Sequence, residues 1–432
     1  MSRPIAVPRA RLAAALAALL AVPVLVLLDT AVALARGWEP RGPLVRWVAT
    51  ACLAAILLVL LAAAIRAGRE LLVRRWAAVI TVIFSLALGW AVVEALAWAA
   101  PGLLGNRFAH SRGPGVHRIF RPDPRIIAGI AGESRYTTNE LGIRGGPFPA
   151  APEVPRILCL GGSTTECTYL DDAATWPHLL QEELRVRSGR PVWVGGLGIS
   201  GYTTFEHLDF LRRSPLARRF DRRFDRRFDR IVLLVGINDL VRFLSGALEL
   251  GPRPLWRRST LVSTLAAAVQ RRALRHLLYE EEDPTGRSLL ERRRLRREAP
   301  RRADLPDLRQ AVADYQGRIA GLADACRRLR VRCLFLTQPV LWQETLPAAE
   351  QGSLWMGTDG RGAYYTAGAL RQGMDRYNRA LLAVCARRGL DCLDLAASLS
   401  GRPGVFYDDC HFTAAGAREV ADQVADDLAS GR

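Results

Sequence analysis

The chain has 432 residues, which is long enough for a membrane segment followed by one sizeable domain, or for two domains. Half of the residues are apolar and about a quarter are charged, a balance that excludes a wholly disordered or collagen-like chain. The net charge is +18, all of the basic residues are arginine, and the eight cysteines are too sparse for a small disulfide-rich scaffold.

Three long apolar runs occupy the first hundred residues, at about 12–35, 44–65 and 76–100. Each is long enough to cross a bilayer core of about 30 Å as a helix, which takes about 20 residues. The first run is too long for the apolar core of a typical cleaved signal peptide, and two more runs follow it. The sequence therefore predicts a membrane region at residues 1–100 with three transmembrane helices.

The arginines that flank these runs predict their orientation. Seven arginines lie before the first run or between the second and the third, and three lie between the first and the second. Arginine-rich flanks stay in the cytoplasm, so we expect the N-terminus inside the cell. Three crossings then leave the chain beyond Pro101 outside the cytoplasm. We therefore expect an integral, multi-pass protein of the plasma (inner) membrane with an extracytoplasmic C-terminal domain.

The rest of the chain divides at about residue 155. Residues 101–155 are rich in glycine, proline and arginine and have no long hydrophobic period, which predicts a juxtamembrane linker and lead-in. Residues 156–432 alternate short apolar runs with amphipathic segments, a pattern that predicts one α/β domain with a parallel sheet covered on both faces. The predicted strands are 156–160, 192–194, 231–235, 333–336 and 392–395, and the predicted helices are 176–186, 204–213, 308–329, 373–387 and 414–428.

Two arginine-rich insertions interrupt this pattern at about residues 212–230 and 271–302. The first contains the tetrapeptide Phe-Asp-Arg-Arg, repeated within residues 220–230. Basic segments can bind nucleic acid or anionic lipid. No zinc-ligand spacing or helix-turn-helix signature accompanies these arginines. The favoured interpretation is a solvated helix face with Glu–Arg pairs, and no nucleic-acid partner is expected.

Side chains with complementary chemistry follow the predicted strands, at the edge of the sheet where open parallel sheets bind ligands. Ser163 comes after the first strand, Gly201 after the second, Asn238 after the third, and Asp408 and His411 after the fifth. A serine hydroxyl is a weak nucleophile that needs a general base, and a histidine held by a carboxylate can supply one. The N–H groups of Ser163 and Gly201 and the amide of Asn238 can stabilise an oxyanion. Together these residues indicate acyl-transfer chemistry by a Ser–His–Asp triad.

Each motif has a simpler interpretation when it is taken alone. The turn at Gly161-Gly162-Ser163 is compatible with an ordinary strand-to-helix loop or with a phosphate cradle, although the chain has no lysine for a Walker loop. Asn238 alone is typical of a turn or a helix cap. Asp409 is as well placed in the sequence as Asp408 to orient the histidine. The functional interpretation depends on the motifs occurring together.

In this combination the sequence resembles the SGNH family of GDSL-type hydrolases, which is named for four blocks carrying Ser, Gly, Asn and His. The resemblance covers about residues 135–430, and the four blocks occur in order. The chain departs from the family pattern at Gly162, where an aspartate often stands, at Gly196, where many members have asparagine, and in its arginine-rich insertions. The matching residues are Gly161-Gly162-Ser163-Thr164-Thr165, Gly201, Gly236-Ile237-Asn238-Asp239 and Asp408-Asp409-Cys410-His411, and residues 137–145 resemble a lead-in found in some members.

The resemblance implies a flavodoxin-like, three-layer α/β domain with a five-stranded parallel sheet, preceded here by three transmembrane helices. It implies Ser163 as the nucleophile and ester hydrolysis without a metal or other cofactor. We therefore predict a membrane-anchored serine esterase that hydrolyses carboxylic O-acyl esters of a small molecule, a surface carbohydrate or a lipid. The alternatives are an O-acyltransferase that uses the same triad and a catalytically inactive, membrane-tethered binding module.

The cysteines add a prediction about the site. Cys167 lies four residues after Ser163, and Cys410 directly precedes His411, so a working triad brings both loops together. A disulfide between Cys167 and Cys410 is feasible if their alpha carbons lie about 4.4–6.8 Å apart, and an exported domain allows it. Two further pairs with a common spacing can also form, although core packing is the favoured interpretation for them; they are Cys326 with Cys333 and Cys385 with Cys392.

Overall fold

The computed structural model describes residues 9–35, 43–99, 111–214, 216–217, 228–248, 250, 259 and 283–430. The chain divides into two compact units, residues 1–105 with 249–273 and residues 106–248 with 274–432. Parts of the predicted linker and of both predicted insertions lie outside the described residues, namely 101–110, 218–227 and 271–282.

In the N-terminal unit, three long helices carry the apolar runs. They are α1 (Arg9–Ala35), α2 (Pro43–Ala64) and α3 (Arg66–Ala99). Each is long and apolar enough to cross a membrane, which confirms the prediction of three such helices. Large apolar side chains on them are exposed, for example Leu57 at 68% and Leu86 at 69%. Apolar surface of this kind is suited to contact with lipid.

The third helix begins ten residues earlier than predicted. The prediction started at Trp76, where the apolar run begins, but α3 starts at Arg66. Arginine, glutamate and leucine are good helix formers, so the polar segment before the apolar run is helical as well. Gly68 permits the sharp connection from α2, because a Cβ atom there would lie 2.1 Å from the carbonyl oxygen of Ala62.

The C-terminal unit alternates strands and helices. Its strands are β1 (His117–Phe120), β2 (Ser134–Thr137), β3 (Arg156–Gly161), β4 (Trp193–Gly198), β5 (Arg230–Leu234), β6 (Arg301–Arg302), β7 (Arg332–Leu336), β8 (Tyr364–Tyr365) and β9 (Asp391–Leu393). Its helices are α4 (Ser163–Glu166), α5 (Trp176–Ser188), α6 (Thr204–Arg213), α7 (Ile237–Leu244), α8 (Ser288–Glu298), α9 (Arg309–Leu329), α10 (Ala348–Ser353), α11 (Ala367–Arg388), α12 (Leu395–Leu399) and α13 (Ala414–Ala429).

Five of the strands form one sheet in the order β4-β3-β5-β7-β9, and every neighbouring pair is parallel. The chain runs from β3 to β4 in one direction along the sheet and from β4 through β5 and β7 to β9 in the opposite one. Since crossovers between parallel strands are right-handed, this order puts α5 on one face and α9 and α11 on the other. α13 packs against α5, and α9 packs against α6 and α11. The result is the predicted three-layer, flavodoxin-like architecture. Its switch point lies at the carboxyl ends of β3 and β5, where such sheets bind ligands.

The second strand of the sheet is longer than predicted. The apolar run predicts a strand that ends at Val194 and a loop at the following glycines, but β4 continues to Gly198 and pairs with β3 along its length. The glycines are in the strand because neighbouring groups approach it closely. A Cβ atom on Gly195 would lie 2.7 Å from the side chain of Ile143, and one on Gly198 would lie 2.0 Å from the backbone nitrogen of Glu166.

The described part of the segment that the sequence analysis treats as a linker, residues 111–155, is ordered structure of the C-terminal unit. β1 and β2 pair in antiparallel fashion within it. Arg144 forms a backbone bridge with Gly196 of β4, with N···O distances of 3.0 and 2.7 Å. Its short strands have no long hydrophobic period because they lie at the edge of the domain, and the composition alone therefore suggests a linker.

The described part of the second arginine-rich insertion contains α8, which is only partly a solvated face. Arg294 pairs with Glu291 on the exposed side, as the favoured interpretation predicts. Arg296, in contrast, is 4% exposed and donates to the backbone carbonyl of Met356. The interpretation of a solvated face with Glu–Arg pairs therefore applies to the exposed side of α8, whereas the buried Arg296 fixes a neighbouring loop.

Two disulfides link helix ends to the strands that follow them. They join α9 to β7 and α11 to β9, with alpha carbons 6.3 and 6.4 Å apart. Core packing, the favoured interpretation for these cysteines, is therefore wrong. A left-handed residue after each helix reverses the chain and brings the last helical turn beside the next strand. The bonded pairs are Cys326–Cys333 and Cys385–Cys392.

Candidate active site

Ser163 is the first residue of α4 and follows β3 after one intervening glycine. Two glycines allow this abrupt turn. A Cβ atom on Gly161 would lie 2.7 Å from the carbonyl oxygen of Leu234 in β5, and one on Gly162 would lie 2.7 Å from the side-chain nitrogen of Asn238. The turn therefore brings Ser163 to the switch point between β3 and β5, next to Asn238.

Ser163, His411 and Asp408 form a hydrogen-bonded chain. His411 Nε2 lies 2.8 Å from Ser163 Oγ, and His411 Nδ1 lies 2.8 Å from Asp408 Oδ2 and 2.9 Å from Oδ1. All three side chains are buried, although Ser163 and His411 are 248 residues apart. This geometry lets the imidazole take a proton from the serine while the carboxylate holds its other nitrogen.

The Asp408 carboxylate is fixed by donors besides the imidazole. The backbone N–H groups of Cys410 and His411 donate to Oδ1 at 3.1 and 2.9 Å, and Trp355 Nε1 donates to Oδ2 at 2.9 Å. Burial by itself raises the pKa of a carboxyl group, but the charge of His411 and these hydrogen bonds outweigh it and lower the pKa of Asp408. Asp408 is therefore a carboxylate at neutral pH.

The His411 imidazole is held in a setting that favours its protonated form. Burial by itself lowers the pKa of a histidine, but the charge and hydrogen bond of Asp408 outweigh it and raise the pKa of His411 well above its usual value. The rings of Tyr407 and Trp355 lie nearly parallel to the imidazole, with centroids 5.6 and 6.4 Å away.

Asp409, which the sequence left as an alternative partner of the histidine, is bonded elsewhere. Its carboxylate accepts from Trp342 Nε1 at 2.6 Å and from the backbone N–H groups of Trp355 and Met356 at 2.8 and 3.1 Å. Asp409 therefore fixes the loop that carries Trp355, whereas Asp408 contacts the imidazole.

The predicted oxyanion-hole groups lie on two tight turns. Gly201 has a φ of +79°, which favours glycine. Within the described part of the chain, the N–H groups of Gly201 and Ser163 make no hydrogen bond, so each is available to an external acceptor. Asn238 Nδ2 donates to the carbonyl of Tyr202 at 2.9 Å, a bond that orients the amide and uses one of its two N–H groups. These three donors have the chemistry that an oxyanion needs.

Two further residues support these groups. The buried Asp239 accepts from the backbone N–H and the hydroxyl of Thr204 at 3.0 and 2.6 Å, so it ties the Asn238 turn to the start of α6. The Gly-x-Asn-Asp motif, whose last residue is Asp239, is the feature of the sequence that could have identified this role. Trp355 lies 53 residues before Asp408 in the sequence, and no local pattern marks it.

A comparison with known protein families identifies the family of this chain. A family model described as "GDSL-like Lipase/Acylhydrolase family" matches residues 159–419, more than half of the chain. The chain belongs to this family. The predicted family and the predicted ester-hydrolase class are thereby confirmed.

Solved structures similar to this GDSL-like chain include two hydrolases. One is a catalytic mutant of Axe2, an acetylxylan esterase from Geobacillus stearothermophilus, at 13% identity and a TM-score of 0.36, covering 63% of this chain and 94% of that one. Another is LAE5, an α/β hydrolase enzyme from the metagenome of Lake Arreo, Spain, at 15% identity and a TM-score of 0.35, covering 64% and 97%. The comparison with curated proteins gives no match.

A small cavity opens beside Ser163 and His411 in this GDSL-like hydrolase. Its volume is about 180 Å³, including the part that is open to solvent. The walls are mainly aromatic and aliphatic, which suits the acyl part of an ester better than a charged group. Besides Ser163 and His411, the lining residues are Thr164, Cys167, Tyr169, Leu170, Tyr407 and Phe412.

Cys167 and Cys410 are free and buried, so the predicted disulfide between them is wrong. The triad does bring their loops together, but the two thiols have different neighbours. Cys167 Sγ donates to the carbonyl of Thr164 at 3.3 Å, whereas Cys410 Sγ lies 3.9 Å from His411 Nδ1, on the side of the ring that faces Asp408. Burial raises the pKa of each thiol to about 11, so both are protonated at neutral pH.

Potential metal-binding atoms also occur at this site. Among the described residues, Asp408, Cys410 and His411 place one such atom each within 4.8 Å of the others. A metal at this position requires Asp408 and His411 Nδ1 to give up their mutual hydrogen bond and the Cys410 thiol to lose its proton. The donor set therefore fits the triad better than it fits a cation site.

Proposed function

We propose that this GDSL-like hydrolase is a membrane-anchored serine esterase that cleaves short O-acyl esters outside the cytoplasm, with Ser163, His411 and Asp408 as its catalytic triad. The observation that carries the proposal is the 2.8 Å contact between His411 Nε2 and Ser163 Oγ, with Asp408 2.8 Å from the other ring nitrogen. A base in contact with the hydroxyl, and a carboxylate behind it, is the arrangement that nucleophilic acyl transfer needs.

The proposed reaction has two halves. Ser163 Oγ attacks the ester carbonyl carbon while its proton moves to His411 Nε2, and Asp408 stabilises the resulting imidazolium. The carbonyl electron pair moves onto oxygen, and this oxyanion accepts from the N–H groups of Ser163 and Gly201 and from Asn238. Collapse expels the alcohol, which takes the proton from His411 and leaves an acyl-serine. Water, activated by the same imidazole, then releases the acid and restores the serine.

The size of the cavity supports a short acyl group. The cavity beside Ser163 is small and partly open to solvent, which suits an acetyl or similarly small group, whereas a long acyl chain needs an extended apolar channel. Bulky side chains line the cavity, among them Tyr169, Leu170 and Tyr407. Of the substrate classes considered, an O-acylated carbohydrate or small molecule therefore fits better than a long-chain lipid ester.

Two independent features support a site outside the cytoplasm. The arginine distribution favours a cytoplasmic N-terminus, and with that orientation three crossings lead to a C-terminal unit outside the cytoplasm. The C-terminal unit also contains the disulfides Cys326–Cys333 and Cys385–Cys392. Disulfides persist in oxidising compartments and are rare in the cytosol.

Hydrolysis of a series of p-nitrophenyl esters by the detergent-solubilised full chain tests the activity. We expect acetate to be cleaved best and the rate to fall from butyrate to octanoate. Ser163→Ala should abolish hydrolysis, whereas Ser188→Ala, at the exposed end of α5, serves as a matched control that keeps it. Turnover in folded Ser163→Ala contradicts the proposal. Failure of the wild type to cleave any ester favours a binding module, and preferred transfer to a sugar acceptor over water favours an acyltransferase.

Reporter fusions test the orientation separately. A reporter that is active only in the cytoplasm should be active when it is fused after Ile65, between α2 and α3, and silent when it is fused after Gly105. The reverse pattern places the catalytic unit inside the cell and contradicts the proposed location.

A further inference from the structure

A buried carboxylate outside the triad lies close to the nucleophile. Glu166 ends α4, three residues after Ser163, and only 3% of it is exposed. Burying a charged carboxylate is costly unless it is paired and hydrogen-bonded. Its partners therefore indicate what the burial achieves.

Glu166 accepts hydrogen bonds from three parts of the chain. Arg112 holds it with two bonds, from Nε to Oε1 at 2.6 Å and from Nη2 to Oε2 at 3.0 Å. The backbone N–H and the hydroxyl of Ser200 both donate to Oε2 at 2.7 Å. Tyr136 donates its hydroxyl to Oε1 at 3.3 Å. A planar guanidinium that binds a carboxylate through two bonds fixes its orientation as well as its charge.

The Ser200 bonds connect Glu166 to the predicted oxyanion hole. Ser200 directly precedes Gly201, whose N–H makes no hydrogen bond within the described residues. The segments that contain Ser200 and Glu166 also approach each other closely at Gly198. A Cβ atom on Gly198 would lie 2.0 Å from the backbone nitrogen of Glu166. The carboxylate thus spans the short gap between the helix that begins with Ser163 and the turn that carries Gly201.

We propose that Glu166, held by Arg112, is a positioning residue that sets the Gly201 N–H relative to Ser163 by fixing Ser200. This inference rests on the proposed function, since it assigns Gly201 to the oxyanion hole of that reaction. Oxyanion donors act only within about 2.7–3.1 Å of the developing charge, so a small displacement of the turn is costly. Five charge-assisted bonds to one carboxylate, two of them from Ser200, keep that displacement small.

The ionisation state of the pair agrees with this role. Burial by itself raises the pKa of Glu166, but the charge and hydrogen bonds of Arg112 and the bonds from Ser200 outweigh it, and the pKa of Glu166 is lowered. Glu166 therefore stays ionised at neutral pH and is an acceptor for every surrounding donor. A glutamine has one acceptor oxygen and two N–H groups, so it cannot satisfy Arg112 and Ser200 together.

Kinetics of the full-length protein with p-nitrophenyl acetate test the inference. Glu166→Gln should lower kcat by about 10- to 100-fold, somewhat less than the loss of one whole oxyanion donor, and should change KM by less than about threefold. Ser200→Ala keeps the hydrogen bond from the backbone N–H to Glu166 and should lower kcat less than Glu166→Gln does. Arg112→Ala should also lower kcat, and Arg112→Lys should lower it less because it keeps the positive charge. Arg121→Ala removes an exposed ion pair with Glu133 in the same segment and should match the wild type.

A small alkyl boronic acid, which forms a tetrahedral adduct with a nucleophilic serine, separates a positioning role from a structural one. In folded Glu166→Gln, boronate affinity should fall in step with kcat/KM, while the acidic limb of the pH profile, which reports His411, stays in place. If the boronate affinity of the variant is unchanged and its kcat falls only as much as its folded fraction falls, the inference is overturned. Failure of the proposed function is distinguishable, because the wild type itself then neither turns over nor binds the boronate.

Discussion

Replacing Asp408 by asparagine is the sharpest test of the triad, because the change keeps size and shape and removes one charge. In the wild type both oxygens of Asp408 lie within 2.9 Å of His411 Nδ1. An asparagine amide at this position can donate to Nδ1. The imidazole then carries its proton on Nε2, facing Ser163, and cannot accept the proton of the attacking hydroxyl.

The size of the expected loss follows from the contact. Opposite unit charges 2.8 Å apart attract each other by about 6 kcal/mol at an effective dielectric constant of about 20. The equivalent change in another serine hydrolase lowers kcat by about 10⁴-fold, which corresponds to about 5 kcal/mol of activation free energy. The contact in this protein is therefore close enough to account for a loss of that order, and we expect kcat of Asp408→Asn to fall by about 10³- to 10⁴-fold.

The matched control is Asp409→Asn, the same change one residue along the chain. Asp409 binds Trp342 and the backbone of the Trp355 loop but not His411. Leaving its buried donors poorly paired should cost about 1–3 kcal/mol of stability, whereas kcat per folded molecule should fall by no more than about tenfold. The assay is hydrolysis of p-nitrophenyl acetate, with the folded fraction measured by thermal melting. A folded Asp408→Asn protein within tenfold of the wild type, or a larger loss in Asp409→Asn, refutes the reasoning.

Three further predictions concern pH, the loop tryptophan and a disulfide. Because Asp408 raises the pKa of His411, kcat/KM should fall as pH drops through a value above 6.5, and an acidic limb at or below 6.5 contradicts this. Trp355→Phe removes a donor to Asp408, so the carboxylate attracts the imidazolium more strongly. We therefore expect kcat to fall by up to about tenfold and the acidic limb of the pH profile to move to higher pH. A shift of that limb to lower pH argues against the contact. Replacing Cys326 and Cys333 by alanine opens a short loop and should lower the free energy of unfolding by about 2.5 kcal/mol in denaturant titrations; a variant as stable as the wild type shows that the bond adds nothing.

The sequence predicted the structure well where a type of residue has one usual structural role. Short apolar runs rich in valine, isoleucine and leucine form the five strands, because a parallel sheet buries both of its faces. The candidate site could be assembled from separate motifs because the carboxyl ends of parallel strands meet at one edge. Ser163 and His411 are in contact across 248 residues for that reason.

The sequence was less informative where a residue acts through a distant partner. Glu166 and Trp355 form their decisive hydrogen bonds with residues 34 and 53 positions away, and neither spacing marks them. The glycines of β4 suggested a loop, although they lie in a strand because of the side chains packed over it. The cysteines show the same limit. Chain proximity to the triad suggested the pair Cys167–Cys410, but the direction of each thiol decides the bonding, and the sequence does not contain that direction.

Mapping the site of covalent modification by a serine-directed fluorophosphonate tests most directly whether Ser163 is a nucleophile activated by His411. The intact wild-type protein should gain the mass of one adduct, and peptide mapping should place it on Ser163. Ser163→Ala should remain unmodified. His411→Ala should react far more slowly, because the Ser163 hydroxyl then lacks the base that lies 2.8 Å from it in the wild type. A folded wild-type protein that stays unmodified, or an adduct that persists on another residue in Ser163→Ala, contradicts the proposed mechanism.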